Sequence, residues 1–134
     1  MTLQHLFAGS CLAALLLIGC GDGGGNQAKL YEVHGVVTYN GEPVPYGEIT
    51  FEPDDRKGNK GPVSTGVIEK GIYAIDNGKG VISGDLRVRI AGYDGNPPPG
   101  GGTMPHGMAL FGEYSTTVVQ PEDSATHDFA IKGK

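Results

Sequence analysis

Between Asp85 and Tyr93 the chain alternates: Leu86, Val88 and Ile90 are separated by Arg87 and Arg89, with Asp85 in step with the arginines. A period of two sends successive side chains to opposite faces of an extended strand, so this segment has a core side and a wet side. The same alternation recurs elsewhere. Tyr31, Val33, Gly35, Val37 and Tyr39 oppose Glu32, His34, Val36 and Thr38, while Ile49 and Phe51 oppose Glu48, Thr50 and Glu52. Asn40-Gly41, Pro53-Asp54-Asp55, Lys70-Gly71 and Asn77-Gly78-Lys79-Gly80 punctuate these runs. Asn-Gly in particular supplies the two positive-φ residues of a tight hairpin.

Seven strands follow from this pattern: Tyr31 to Tyr39, Tyr46 to Glu52, Val63 to Glu69, Ile72 to Asp76, Asp85 to Tyr93, Tyr114 to Val119, and Thr126 to Lys132. The last should turn Phe129 and Ile131 inward. Glycine at 24 positions and proline at 9 rule out a long helical bundle, because both are costly inside helices and useful in turns. The stretch Asp94 to Gly112, with Pro97-Pro98-Pro99-Gly100-Gly101-Gly102 inside it, is too long and too rich in these residues for a strand and reads as a mobile loop. Ten basic against 15 acidic residues leave a net charge of −5. That balance argues against nucleic acid, which requires a concentrated basic face.

The amino-terminal segment carries a different signal. Leu6 to Ile18 is an uncharged apolar run of 13 residues, which suits the apolar region of an export signal and falls short of the roughly 20 that a spanning helix needs. It ends in Leu17-Ile18-Gly19-Cys20, which resembles the lipobox of bacterial lipoproteins. The resemblance implies cleavage between Gly19 and Cys20, and a diacylglycerol on the Cys20 thiol that makes membrane lipid the first partner. Two or three acyl chains hold a protein stably where one does so only marginally. Gly21 follows the cysteine, and the acidic Asp22 comes one place later. In the resembling family this spacing implies export to the outer membrane rather than retention at the inner one, where a cell has both. Gly21 to Lys29 reads as a polar, flexible tether. Cys11 would leave with the signal, so the folded domain is expected to have neither disulfide nor thiol chemistry.

The order of segments from Val33 to Pro53 resembles the opening of carboxypeptidase-regulatory-like, transthyretin-like domains. It runs Val33-His34-Gly35-Val36-Val37-Thr38-Tyr39-Asn40-Gly41-Glu42-Pro43-Val44-Pro45-Tyr46-Gly47-Glu48-Ile49-Thr50-Phe51-Glu52-Pro53. Gly66 to Ile75 is similar to that family's hairpin, and Gly84-Asp85-Leu86-Arg87-Val88-Arg89-Ile90 to the strand after it. The resemblance covers about residues 31 to 132. It implies a seven-stranded antiparallel β-sandwich of transthyretin (prealbumin) type. The expected organisation is a signal peptide at 1–19, a lipidated tether at 20–29 and the sandwich at 30–134.

Chemistry is sparse in such a chain. Some transthyretin-like folds hydrolyse 5-hydroxyisourate with a Tyr-Arg-Gly-Ser ending, whereas this sequence ends Ala130-Ile131-Lys132-Gly133-Lys134. Asp94, His106 and Ser115 allow a catalytic sketch, yet no Gly-x-Ser-x-Gly elbow exposes a nucleophile. His34 and His127 lie on terminal strands but in different phases, so no metal and no cofactor are expected. Three features suit an interaction surface. Arg87 and Arg89 share one face, and their spacing fits an anionic partner. His106, Met108, Leu110 and Phe111 crowd the end of the Pro-Gly loop, where they either tuck over the open end of the sandwich or dock a partner. Six tyrosines suit sugar stacking in principle. The expectation is a non-catalytic, lipid-anchored envelope protein whose sandwich acts as a protein-interaction or structural module, with a small carbohydrate-binding module of the envelope as the alternative.

Overall fold

The computed structural model describes residues 27–76 and 78–134. The expected signal peptide, Gly19, Cys20 and most of the tether lie outside the described residues. The rest is all β: β1 (Val33–Tyr39), β2 (Glu42–Pro43), β3 (Tyr46–Pro53), β4 (Ser64–Glu69), β5 (Ile72–Ile75), β6 (Gly84–Tyr93), β7 (Tyr114–Gln120), β8 (Ala125–Thr126) and β9 (Phe129–Ile131), with one 3-10 turn at Asp55–Lys57. They form one curled sheet in the order β2-β1-β5-β4-β3-β6-β7, antiparallel along that path.

Alternation builds the core as expected. Val33 and Val37 of β1, Ile49 and Phe51 of β3, Ile68 of β4, Tyr73 and Ile75 of β5, and Leu86, Val88 and Ile90 of β6 are all buried. Burying such side chains contributes about 1.5–3 kcal/mol each relative to exposure. The longest ladder joins β3 to β6 over eight positions, from Tyr46↔Tyr93 to Pro53↔Leu86. At the β1–β2 hairpin Asn40 and Gly41 adopt φ of 51° and 85°, the left-handed pair that a two-residue turn of this hand requires.

Strand bounds shift slightly from the expected ones: β4 begins at Ser64, β5 ends at Ile75, β6 begins at Gly84 and β7 reaches Gln120. The larger difference is at the end of the chain. The single strand expected from Thr126 to Lys132 is two short ones, and both pair with β1 in parallel, Val33↔Ala125 and Val37↔Phe129. Local pattern does not encode pairing direction, which depends on how the preceding loop returns the chain. The break falls at His127-Asp128. There the Asp128 carboxylate accepts from Val36 N–H at 2.8 Å, substituting a side chain for a ladder bond.

Gly35 makes that docking possible. A Cβ on Gly35 would stand 2.0 Å from the His127 carbonyl oxygen, a backbone atom that cannot rotate away.

Strand directions give the domain two poles. Val33, Pro53, Ser64, Ile75, Gly84 and Gln120 lie at one, where a Tyr31↔Val81 bridge ties in the arriving chain. The Asn40-Gly41 and Lys70-Gly71 turns, the loop after Tyr93 and the end of β9 lie at the other. The two are about 30 Å apart, since β6 has 10 residues at about 3.3 Å each.

Gly35→Ala should destabilise the domain by about 3 kcal/mol or more. A urea midpoint within error of the parent would show that the C-terminal segment does not dock where described.

Candidate functional site

The loop from Asp94 to Gly112 is closed at its base by a set of backbone bonds. Asp94 N–H donates to Met108 O at 3.0 Å, Gly95 N–H to His106 O at 3.0 Å, and Leu110 N–H to Gly92 O at 2.9 Å. The Asp94 carboxylate completes the staple, accepting from Asn96 N–H at 2.9 Å and Met108 N–H at 3.1 Å through one oxygen. Gly107, at φ 87°, fits only because it has no Cβ, which would stand 1.8 Å from that oxygen. The loop expected to be mobile thus has a tied neck, and its Pro-Gly tip projects from it.

This neck divides the apolar residues that the sequence singled out. Leu110 and Phe111 are half-buried and pack against the core, with Phe111 5.1 Å from Tyr39 between ring centroids. Gly92 leaves room for the Phe111 ring. His106 stacks on Tyr46 at 3.6 Å and 13°, with Tyr93 6.2 Å away. Met108 and Met104 instead stay outside, 67% and 50% exposed. The stacked Tyr46 and His106 border a cleft of about 400 Å³ lined also by Pro45, Glu69, Lys70 and Pro105. Rigid rings, prolines and two flexible thioethers at one pole suit contact with a partner.

Arg87 and Arg89 project from the outer face of β6 toward carboxylates of the same chain. Arg87 Nε lies 3.3 Å from Glu52 Oε2, and Arg89 bonds the other oxygen of the same carboxylate. Asp55 and Glu113 stand at 4.0 Å from Arg87 and Arg89 respectively. Two guanidiniums are therefore enclosed by three carboxylates. An anionic ligand would have to displace Glu52, whose register opposite Arg87 places it there.

The three residues of the catalytic sketch do not meet. Asp94 holds backbone N–H groups, His106 stacks on Tyr46, and Ser115 is exposed on β7. The histidines of the terminal strands also separate, as their phases implied. His34 faces outward, with Nε2 2.9 Å from Thr126 Oγ1. His127 turns toward the core, with Nε2 2.9 Å from Gln120 Oε1. Among the described residues no group of three or more metal-ligating side chains comes together.

His127 sits in a network that the sequence did not reveal. Gln120 is 2% exposed, and its amide nitrogen donates to Asp123 O at 2.8 Å. Its carbonyl oxygen can only accept, so His127 carries its proton on Nε2. The Tyr73 hydroxyl donates to the His127 carbonyl at 2.6 Å. Burial first, and the Asp128 carboxylate second, raise the Tyr73 phenol far above its ordinary pKa. Burial lowers the His127 pKa, with Asp128 opposing. Asp54, expected as a loop residue, is likewise buried and caps the 3-10 turn by accepting from Arg56 N–H at 3.3 Å. No periodicity announces the His127 network, because Tyr73, Gln120 and His127 come from separate segments, whereas the Asp54 cap is local, bonding an N–H two residues on.

The chain matches no protein-family model and no curated protein.

Two outcomes test this geometry. Asp94→Ala should speed proteolytic cleavage within residues 95–107 while costing about 1–3 kcal/mol of global stability; an unchanged cleavage rate would mean that the staple does not hold the loop. His127 has a folded pKa below its unfolded value of about 6.5, so the unfolded chain binds the extra proton. Its contribution to stability is complete above about pH 6.5 and is lost as pH falls from there through the folded value. Unfolding midpoints from pH 7.5 to 5.5 should decline for the parent and decline less for His127→Gln.

Proposed function

We propose that this chain is a lipid-anchored protein of the cell envelope, and that its loop pole contacts another envelope protein without catalysing a reaction. The observation that carries this reading is the opposition of the poles. Residues 27–32 join the domain at the Tyr31↔Val81 bridge, about one strand length from the half-buried ring cluster of Tyr39, Tyr46, Tyr93, His106 and Phe111. With Cys20 acylated, an anchor at the entry pole turns Met104, Met108 and the cleft beside His106 away from the lipid. The outer membrane is the destination in a cell with two, because Gly21 rather than an acid follows the cysteine.

On this reading the curled sheet is a transthyretin-like β-sandwich of the carboxypeptidase-regulatory-like kind. The sparse β4–β5 contact supports two layers: these strands share a single paired position, Glu69↔Ile72, before β4 continues beside β3 and β5 beside β1. A non-catalytic role is supported by the separation of the three residues of the catalytic sketch: Asp94 and His106 are engaged elsewhere and Ser115 lies apart on β7. Carbohydrate binding is the weaker alternative. Sugar stacking needs a free ring face, and His106 occupies one face of Tyr46 while Phe111 leans on Tyr39.

Cys20→Ser should lose the acyl mass of the exported chain and move it from the membrane to the soluble fraction; unchanged partitioning would refute the anchor. Crosslinking of the parent in cells should capture a protein neighbour through the loop pole, and Met104→Ser/Met108→Ser should reduce that product. Capture that is indifferent to the loop variant would refute the assignment of the contact surface.

A further inference from the structure

The strand edges at β2 and at β8 and β9 are guarded against pairing. β2 is two residues long and contains Glu42 and Pro43. β8 and β9 have two and three residues, are interrupted by His127-Asp128, and are followed by Lys132. Short length, charge and proline are the usual means of blunting an edge. β7 has none of them. It runs seven residues, Tyr114-Ser115-Thr116-Thr117-Val118-Val119-Gln120, without charge, proline or bulge. Among the described residues it pairs with β6 alone.

Its side chains also show where burial stops. On β6 the inward Leu86, Val88 and Ile90 are at most 1% exposed. On β7, one strand further out, the inward Tyr114, Thr116 and Val118 are only half-buried, and Val119 on the other face is 67% exposed. One more strand alongside β7 would bury the first three and saturate its unpaired backbone groups.

We propose that this strand is supplied by a second copy of the chain, β7 against β7 in antiparallel register about Thr117. In that register Thr117 faces its own counterpart, Thr116 faces Val118, Ser115 faces Val119 and Tyr114 faces Gln120. Every pair has matching phase, so inward residues meet inward ones and outward residues meet outward ones. Thr and Val are favourable cross-strand partners, and no like charges are opposed within the strand.

Charge at the strand ends selects a second copy over another extended segment. A groove of about 470 Å³ at the start of β7 is lined by Gly112, Tyr114, Lys132 and Lys134. Glu113, which also lines it, is engaged by Arg89 at 4.0 Å. Past the other end of β7 stand the exposed Glu122 and Asp123. Among the described residues neither these acids nor the two lysines take part in an ion pair. In the proposed register Gln120 of one copy faces Tyr114 of the other, so the bend at Glu122 and Asp123 follows directly toward the end at which the groove lies. Each copy then offers its free acids to the lysine-lined groove of the other, twice by symmetry.

The pairing is independent of the lipid anchor, but it has a geometric consequence for an anchored chain. Antiparallel β7 strands send the two entry poles in opposite directions. Ten residues from Cys20 to Lys29 reach about 33 Å when extended, about the length of the domain. Two copies in one membrane therefore pair only with one tether stretched along its domain, whereas copies on facing surfaces pair without strain.

The test is the mass of the purified full chain, in mild detergent, by light scattering across about 1–100 µM. The expected result is a concentration-dependent dimer that Thr117→Lys converts to monomer, because two lysines then oppose each other at the symmetry axis. Thr65→Lys, a change at another exposed strand position, on β4, should leave the dimer intact and serve as the control for folding. Reversing the groove with Lys132→Glu/Lys134→Glu should weaken association at least about tenfold. A monomer at every concentration would overturn the proposal. So would a dimer unaffected by Thr117→Lys, or one that captures a foreign segment at β7 in preference to itself.

Discussion

The eight-position ladder between β3 and β6 holds the rest of the domain in place. Its period of two commits Ile49, Phe51, Leu86, Val88 and Ile90 to one face, and a slip of one residue would turn that whole set to solvent. The same register that buries these five side chains places Glu52 opposite Arg87 on the outer face, beside Arg89. Core and surface are thus two consequences of one alignment. The ion pairs are partly exposed and contribute little to stability. Their effect is to neutralise the arginine pair on this face.

Closure of the domain rests on a smaller set of contacts. The last segment arrives beside β1 in parallel, and its docking needs space at Gly35, a donor at Val36 and a hydroxyl at Tyr73. Gln120 then joins the end of β7 to His127, so a side-chain bond ties the two free borders of the sheet at the entry pole. Toward the other pole those borders part around the groove beside Tyr114 and Ile131. His127 is half-buried at the entry-pole tie, and burial, opposed by the Asp128 carboxylate, lowers its pKa and so favours the neutral form at this junction.

The loop pole follows a similar logic. Asp94 fixes the neck of the loop, and the neck determines that Phe111 reaches Tyr39 and His106 reaches Tyr46 while Met104 and Met108 remain outside. Anchor rings held by packing, with exposed, unbranched thioethers at the same pole, make a surface that is preorganised in part and adaptable in part. The arginines of β6, although more conspicuous in the sequence, are already partnered.

The sequence by itself determined what depends on neighbours along the chain. Alternation marked the main strands and their inward residues, and Asn40-Gly41 marked a hairpin whose φ angles are those its turn demands. The glycines and prolines after Tyr93 marked a long loop. These signals are local, because strand phase and turn geometry are properties of a few consecutive residues. Only the tertiary structure decided that the chain ends in two parallel strands, that Gln120 and Asp54 are buried, that Asp94 staples a loop, and that Glu52 claims both arginines. The strand pairing, the Asp94–Met108 staple and the Glu52–arginine pairs join separate segments, while Gln120 and Asp54 bond nearby residues whose burial is set by the fold. No periodicity carries such a pairing, because it is chosen by which strands lie side by side once the core has formed.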